Sequence, residues 1–428
     1  MDKHRNIVIC CDGTGNEISE NISNVLKLYR CLRKTEKTEP RQLVFYDPGV
    51  GTLSRPDPWH KLKQDFNAIL GLATGYGFDD NVLAAYRFLV ENWREGDQIY
   101  LFGFSRGAYT VRVLAGLIHK IGLITAEQAN LAGSGLIAYK AFSSDEAPKL
   151  REKLEGLTDA GAAEEAEPPS PFDDAAQFAR ITSSRWPTIR FVGVWDTVAS
   201  VIVPRADRFY WPSLEELAWT LQNPSVQIFR QATSIDERRC MFRPKKWDDP
   251  QTFKPVRFND INNTPQDIRQ VWFAGVHSDI GGGYPEVQSG LSKYPLLWMI
   301  DEAEKSGLKF NHANVNQLAW GVPRKNSPFK YVAPNFEALL HNSLTWAWWI
   351  LEFIPKLAKY KEWPARQVFL GVYIPDAEPR PIPEGAWVHE SVVKRMEKVS
   401  DYRPVNLPAK YETWPMPVKA EAVEVVEG

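Results

Sequence analysis

Cysteine is scarce in this chain of 428 residues. Its four cysteines, Cys10, Cys11, Cys31 and Cys240, form no Cys-x-x-Cys pair and no His/Cys spacing that closes a tetrahedral metal site. Neither a disulfide framework nor a structural metal is expected, and no cofactor is expected. A phosphate-cradling loop would need a Gly-Lys pair, and the chain has none. Charge of one sign is also lacking: 51 basic against 53 acidic residues leave a net charge of -2. No lysine or arginine block is long enough to follow a nucleic-acid backbone, so nucleic acid is not an expected partner. Long hydrophobic runs are missing too. The longest, Leu344 to Ile354, holds Glu352 and is about half of the roughly 20 residues that a spanning helix needs. The first residues, Met1 to Asn6, lead straight into a strand-like run with no apolar signal core, which makes the cytoplasm the expected origin.

What is present is an alternation of strand and helix. Ile7 to Cys11 is an apolar run that empties into the loop Asp12-Gly13-Thr14-Gly15-Asn16, and the spacing of Val25, Leu28 and Leu32 predicts a helix over 24–32. A second strand, Leu43 to Tyr46, is followed by a helix opened by Asp79 and Asp80, acidic residues that suit the positive end of the helix dipole. Gln98 to Phe102 is a third strand, and Ala108 to Ile118 is an almost wholly apolar helix. Further strands are expected at Ile189 to Trp195 and Val271 to Ala274, with a sixth at Val368 to Tyr373. This order predicts an α/β fold with a mostly parallel sheet covered by helices on both faces.

The expected organisation is a catalytic core over residues 1–300. It is interrupted at 143–184 by a flexible insertion rich in Ala, Glu, Asp, Pro and Ser. A helical, aromatic extension over 301–402 packs on the core, and a poorly ordered tail fills 403–428. Eight of the sixteen tryptophans lie after residue 297. Trp346, Trp348, Trp349 and Phe353 read either as an amphipathic cover that meets lipid headgroups or as aromatic core of the extension.

Chemistry concentrates at Gly103-Phe104-Ser105-Arg106-Gly107. A Gly-x-Ser-x-Gly turn between a strand and an apolar helix is a nucleophile elbow: the glycines permit the tight turn, and the strain lifts the serine hydroxyl above the sheet. The next helix aims its first N–H groups at the space beside Ser105, so Arg106 N–H is an expected oxyanion donor. Such a donor is typically worth about 100- to 1000-fold in rate. Gly13 or Thr14 N–H, on the glycine loop after the first strand, is the expected second donor. An Asp-Gly-Thr after a strand also suggests an aspartyl-phosphate phosphatase, but the aspartate needed two positions earlier is Cys10. A serine needs a histidine to take its proton, and the imidazole needs a carboxylate to fix its tautomer. Asp196, directly beyond the strand 189–195, is the candidate acid. Among seven histidines, His277 follows the strand 271–274 and precedes a glycine-rich loop, while His389 is the alternative base, after the expected last strand.

Six motifs in this order, CDGTGN, DPGVGT, GFSRGAY, VWDTVAS, SIDERR and GVHSDIGGGY, resemble the α/β hydrolase family that includes phospholipase effectors of bacterial type VI secretion. The resemblance spans residues 5–300, with weaker similarity at LLHNSL and WVHESVVKR. It implies a Ser-Asp-His triad at Ser105, Asp196 and His277, acting on phospholipid ester bonds without a metal. One position departs from the family pattern: Gln231-Ala232 stands where the resemblance leads one to expect His-Ala. The expected activity is hydrolysis of carboxylic esters, with lipid or phospholipid as substrate and the membrane surface as a contact. For an effector, the expected partners are a secretion-spike protein and an immunity protein, with type VI secretion as the way out of the cytoplasm. A non-catalytic binding module on the same scaffold, or an esterase or peptidase for small soluble substrates, is the alternative.

Overall fold

The structure is a computed structural model that describes residues 4–13, 21–49, 77–142, 174–198, 202–204, 212–214, 217–358 and 361–418. Strand β1 (Asn6–Cys11) is buried along its whole length. Because side chains alternate across a strand, Ile7, Ile9 and Cys11 enter one apolar cluster while Val8 and Cys10 enter another. A strand covered on both faces needs both sets apolar, which is why it reads as a continuous run.

Helix α1 (Asn24–Cys31), capped by the Ser23 side chain, leads to β2 (Gln42–Asp47). Then come α2 (Phe78–Asn92), β3 (Gln98–Phe104) and α3 (Arg106–Ile121), every residue of which is buried. The expected insertion falls outside the described residues over 143–173, and its end forms α4 (Asp174–Ile181) with Ala175 and Ala179 buried. The sheet continues with β4 (Ile189–Trp195), β5 (Val226–Ser234) and β6 (Asp267–Phe273). The short α5 (His277–Gly281) and then α6 (Lys293–Lys305) follow. Beyond them lie α7 (His312–Leu318), α8 (Trp346–Glu352), β7 (Ala386–His389), α9 (Glu390–Lys398) and β8 (Tyr411–Trp414).

The eight strands form one sheet in the order β8-β7-β6-β5-β4-β3-β1-β2, and every pairing is parallel. Helices α2 and α3 pack on one face, α1 and α6 on the other. The expected α/β architecture with a mostly parallel sheet and two helical layers is the one observed. Strand order reverses between β1 and β3, the kind of switch point where such sheets bind ligands at their carboxyl ends.

Three expectations are corrected. The strand expected at 368–373 is not in the main sheet: only Val372–Tyr373 is extended there, paired antiparallel with Lys356–Leu357, and Phe369 and Leu370 project at the hairpin tip. Residues 301–402 do more than pack on the core, because β7 is part of the sheet itself. The expected tail supplies the edge strand β8 at Tyr411–Trp414, and the final residues, 419–428, lie outside the described residues.

Candidate active site

Ser105 occupies the single residue between β3 and α3, with φ 57° and ψ -122°. Its N–H donates to Trp195 O at 3.1 Å, tying the turn to the end of β4. A Cβ on Gly103 would stand 2.6 Å from Ala108 Cα, and one on Gly107 would stand 2.5 Å from Asp12 O. Both elbow glycines are therefore fixed by backbone packed against them, and the loop after β1 lies directly against the turn.

Asp196 follows β4, also at positive φ (40°), and its N–H donates to Ala232 O at 2.8 Å. The carboxylate is fully buried. Its Oδ1 accepts from Ser234 N at 3.0 Å and from Arg380 Nη1 at 2.6 Å. Its Oδ2 lies 2.5 Å from His277 Nδ1 and accepts from Arg380 Nη2 at 3.0 Å. Burial pushes this carboxyl up, but the Arg380 guanidinium and the His277 imidazole outweigh it and hold the group at about 2. An ionised carboxylate only accepts, so Nδ1 of His277 carries the proton and Nε2 is left with a lone pair.

His277 opens α5, at the carboxyl end of β6. Its ring lies between Phe104 of the elbow, 4.7 Å between centroids, and Phe242, edge-on at 4.9 Å. Gly281 lets the helix come this close, since a Cβ there would overlap the Phe104 ring. Burial lowers the imidazole pKa below its ordinary value, with Asp196 opposing. Nε2 is buried and has no hydrogen-bond partner among the described residues.

The structure thus brings Asp196 to His277, and it places His389 elsewhere. His389 ends β7, fully buried, with Nδ1 2.8 Å from Ser391 Oγ and its ring stacked on Phe273. Burial holds its pKa down at about 3. Of the expected oxyanion donors, Arg106 is the first residue of the 16-residue α3, where helical N–H groups have no intrahelical acceptor. Gly13 N–H donates to Asp12 Oδ1 at 2.8 Å, so in this structure its own loop engages it. Thr14 lies outside the described residues.

Sequence reasoning missed three residues around the Asp196–His277 pair. Arg380 is one, in a proline-rich stretch with no periodic signal. Phe242 is the second. Glu237, within the SIDERR motif, is the third: it is fully buried and accepts from His277 N at 3.1 Å, Ser343 Oγ at 2.8 Å and Arg239 Nη2 at 2.8 Å. Burial would raise its carboxyl, but the Arg239 guanidinium outweighs this and holds it well below the usual range. Gln231, at the departing position, sits inside β5 and accepts from Arg112 Nη2 at 2.5 Å, so its amide braces α3 against the sheet.

A model of the family described as "T6SS, Phospholipase effector Tle1-like, catalytic domain" matches residues 5–302. The chain belongs to this Tle1-like phospholipase effector family. It is similar to the uncharacterized protein YEL023C of Saccharomyces cerevisiae, 29% identical over 245 residues, which are 56% of this chain and 32% of the yeast protein. Among solved structures it is similar to an uncharacterized protein from Pseudomonas aeruginosa at 19% identity and TM-score 0.35, covering 72% of this chain and 47% of the other. It is also similar to the Tle1 effector solved bound to the VgrG spike of the type 6 secretion system. That match has 20% identity and TM-score 0.32, covering 68% of this chain and 53% of the effector. The chain therefore spans about a third of the curated relative's length and about half that of the two solved chains. Among the described residues no helix is long and apolar enough to cross a membrane.

Proposed function

We propose that the chain is a serine esterase that cleaves acyl esters of lipids, phospholipids foremost, with Ser105 as nucleophile, His277 as base and Asp196 as the group that orients the base. The hydroxyl of Ser105 attacks the ester carbonyl while Nε2 of His277 takes its proton, and the N–H groups at the start of α3 stabilise the oxyanion. The same imidazole then protonates the departing alcohol, leaving an acyl-serine. Water, deprotonated by Nε2, attacks that ester and releases the fatty acid, and the serine regains its proton. The observation that carries the reading is the His277 ring: Nδ1 is held by an ionised carboxylate while Nε2 is buried with no partner among the described residues.

Lipid as the substrate class rests on family membership and on the C-terminal aromatics. Trp348 of α8 turns inward, edge-on to Phe242 at 5.2 Å, while Trp346, Ile350 and Phe353 are more than half exposed beside it. Such a face suits contact with a lipid surface, where indoles are favoured. Family membership also supports export from the cytoplasm by type VI secretion, with a spike protein as carrier and an immunity protein as antagonist.

The test is hydrolysis of phospholipid vesicles and of short p-nitrophenyl esters, with fluorophosphonate labelling alongside. The parent should cleave lipid esters and take the label at Ser105, and Ser105→Ala should lose both by at least about 1000-fold. A Ser105→Ala protein as active as the parent ends the proposal.

A further inference from the structure

Arg380 comes from a segment beyond the residues that match the family and is 184 positions from the carboxylate it reaches. Its guanidinium is buried and spans both oxygens of Asp196, Nη1 to Oδ1 at 2.6 Å and Nη2 to Oδ2 at 3.0 Å. Both terminal nitrogens make further bonds, whereas Nε has no hydrogen-bond partner among the described residues. Nη1 also reaches Ser234 O and Ser234 Oγ, at 3.1 and 2.8 Å, and Nη2 reaches Phe242 O. The residue itself is fixed by Asn406, whose Nδ2 donates to Arg380 O at 2.9 Å and to Ile235 O at 3.0 Å. A forked cation pinned by three acceptors besides the carboxylate sets the direction of the carboxylate it binds.

We propose that Arg380 is a positioning residue of this site: it fixes the Asp196 carboxylate toward His277 Nδ1 and competes with the imidazolium for the same two oxygens. The inference rests on the triad reading above. When His277 takes the serine proton, a second cation forms on a carboxylate that already carries one, so protonation of the imidazole is harder than beside an unshared aspartate. Arg380 thereby keeps the base neutral, and able to accept a proton, at lower pH. Other charged groups also surround the ring. Glu237 and Arg239 face it from the segment after β5, Asp279 lies on its own helix paired with His341, and Asp236 binds Gly275 N–H just before it.

The test is the rate of fluorophosphonate labelling against pH, which reports the base without a known substrate. In the parent the acid limb should fall below pH 6.5, the ordinary histidine value, because burial lowers His277. Arg380→Met should move that limb to higher pH by about one unit or more. It should also slow the plateau about 10- to 100-fold, the scale seen for outer partners that orient an imidazole at metal sites. Arg380→Lys keeps the charge and loses the fork, so its limb should stay near the parent's while its plateau falls. An Arg380→Met limb at the parental pH overturns the proposal whatever the plateau. If that variant does not fold, Arg380→Lys decides, and a parental plateau in it overturns the proposal. Ser105→Ala separates the two claims. Label retained in it defeats the triad reading itself, whereas label lost in it beside parental Arg380 profiles defeats only the role of Arg380.

Discussion

Ser105 and Asp196 end neighbouring strands, and both hold positive φ, at 57° and 40°. A side chain held in such a conformation costs on the order of 1–3 kcal/mol and persists only where the surrounding structure over-determines it. At Ser105 that structure is visible: the glycines on either side are pressed against backbone, and its own N–H is bound to Trp195 O. The strain belongs to the Cβ, not to the hydroxyl, which gives a test independent of activity. Ser105→Gly relieves it, at an entropic cost of about 0.5–1 kcal/mol in the unfolded chain, whereas Ser105→Ala keeps it. The glycine variant should therefore melt a few degrees above the alanine variant, although neither has a nucleophile. Equal melting temperatures in a calorimeter would mean that the elbow is relaxed.

At the scale of elements, the catalytic candidates stand where they do because β3, β4 and β6 run parallel and end on one edge of the sheet. Those ends were legible: each is an apolar run stopped by a glycine or a polar residue. Strand β5 was not, because Arg230 and Gln231 interrupt its apolar pattern. Arg230 pairs with Glu302 and Asp267, both at 2.7 Å, and Gln231 Oε1 accepts from Arg112, so these polar side chains find partners far along the chain. The opposite error arose at 368–373, where an apolar run reads as a strand but forms an exposed hairpin. The elbow is the element whose geometry can be broken by one methyl group. Gly107→Ala would drive its Cβ into the carbonyls of Cys11 and Asp12, which are backbone and cannot rotate away. Overpacking of this kind costs about 1–3 kcal/mol. Relief would move α3 away from β1 and shift Ser105 with it. The expected result is a lower denaturation midpoint together with a loss of esterase activity of about 100-fold, since a displacement near 1 Å is enough for that. An alanine variant with parental midpoint and activity would refute the close packing.

For the whole molecule, the matched region ends at residue 302, yet the sheet does not. Strands β7 and β8 continue it beyond β6, and of the residues after 302, Val388 and Val392 are buried beside β7 while Leu308, Phe310 and Leu318 are buried in the cluster that holds α1. Nothing local announces this: β7 is four residues long, and Arg380 sits among prolines with its acidic partner 184 positions away. The candidate triad could be read because each of its members follows a strand, whereas its support could not, because it is assembled only by long-range pairing. The consequence can be weighed. Burying one large aliphatic side chain contributes about 1.5–3 kcal/mol, and a whole domain is stable by only about 5–15 kcal/mol. Five such residues therefore contribute an amount comparable to the entire margin. Removal would also bare the edge of β6 and leave the Asp196 carboxylate without its guanidinium, and breaking a buried pair from one side costs about 3–5 kcal/mol more. A protein cut after residue 302 keeps Ser105, Asp196 and His277 but should be insoluble or molten, with no cooperative unfolding transition and no fluorophosphonate label. A truncated chain that melts cooperatively and labels at Ser105 would show that the C-terminal third is dispensable to both the fold and the site.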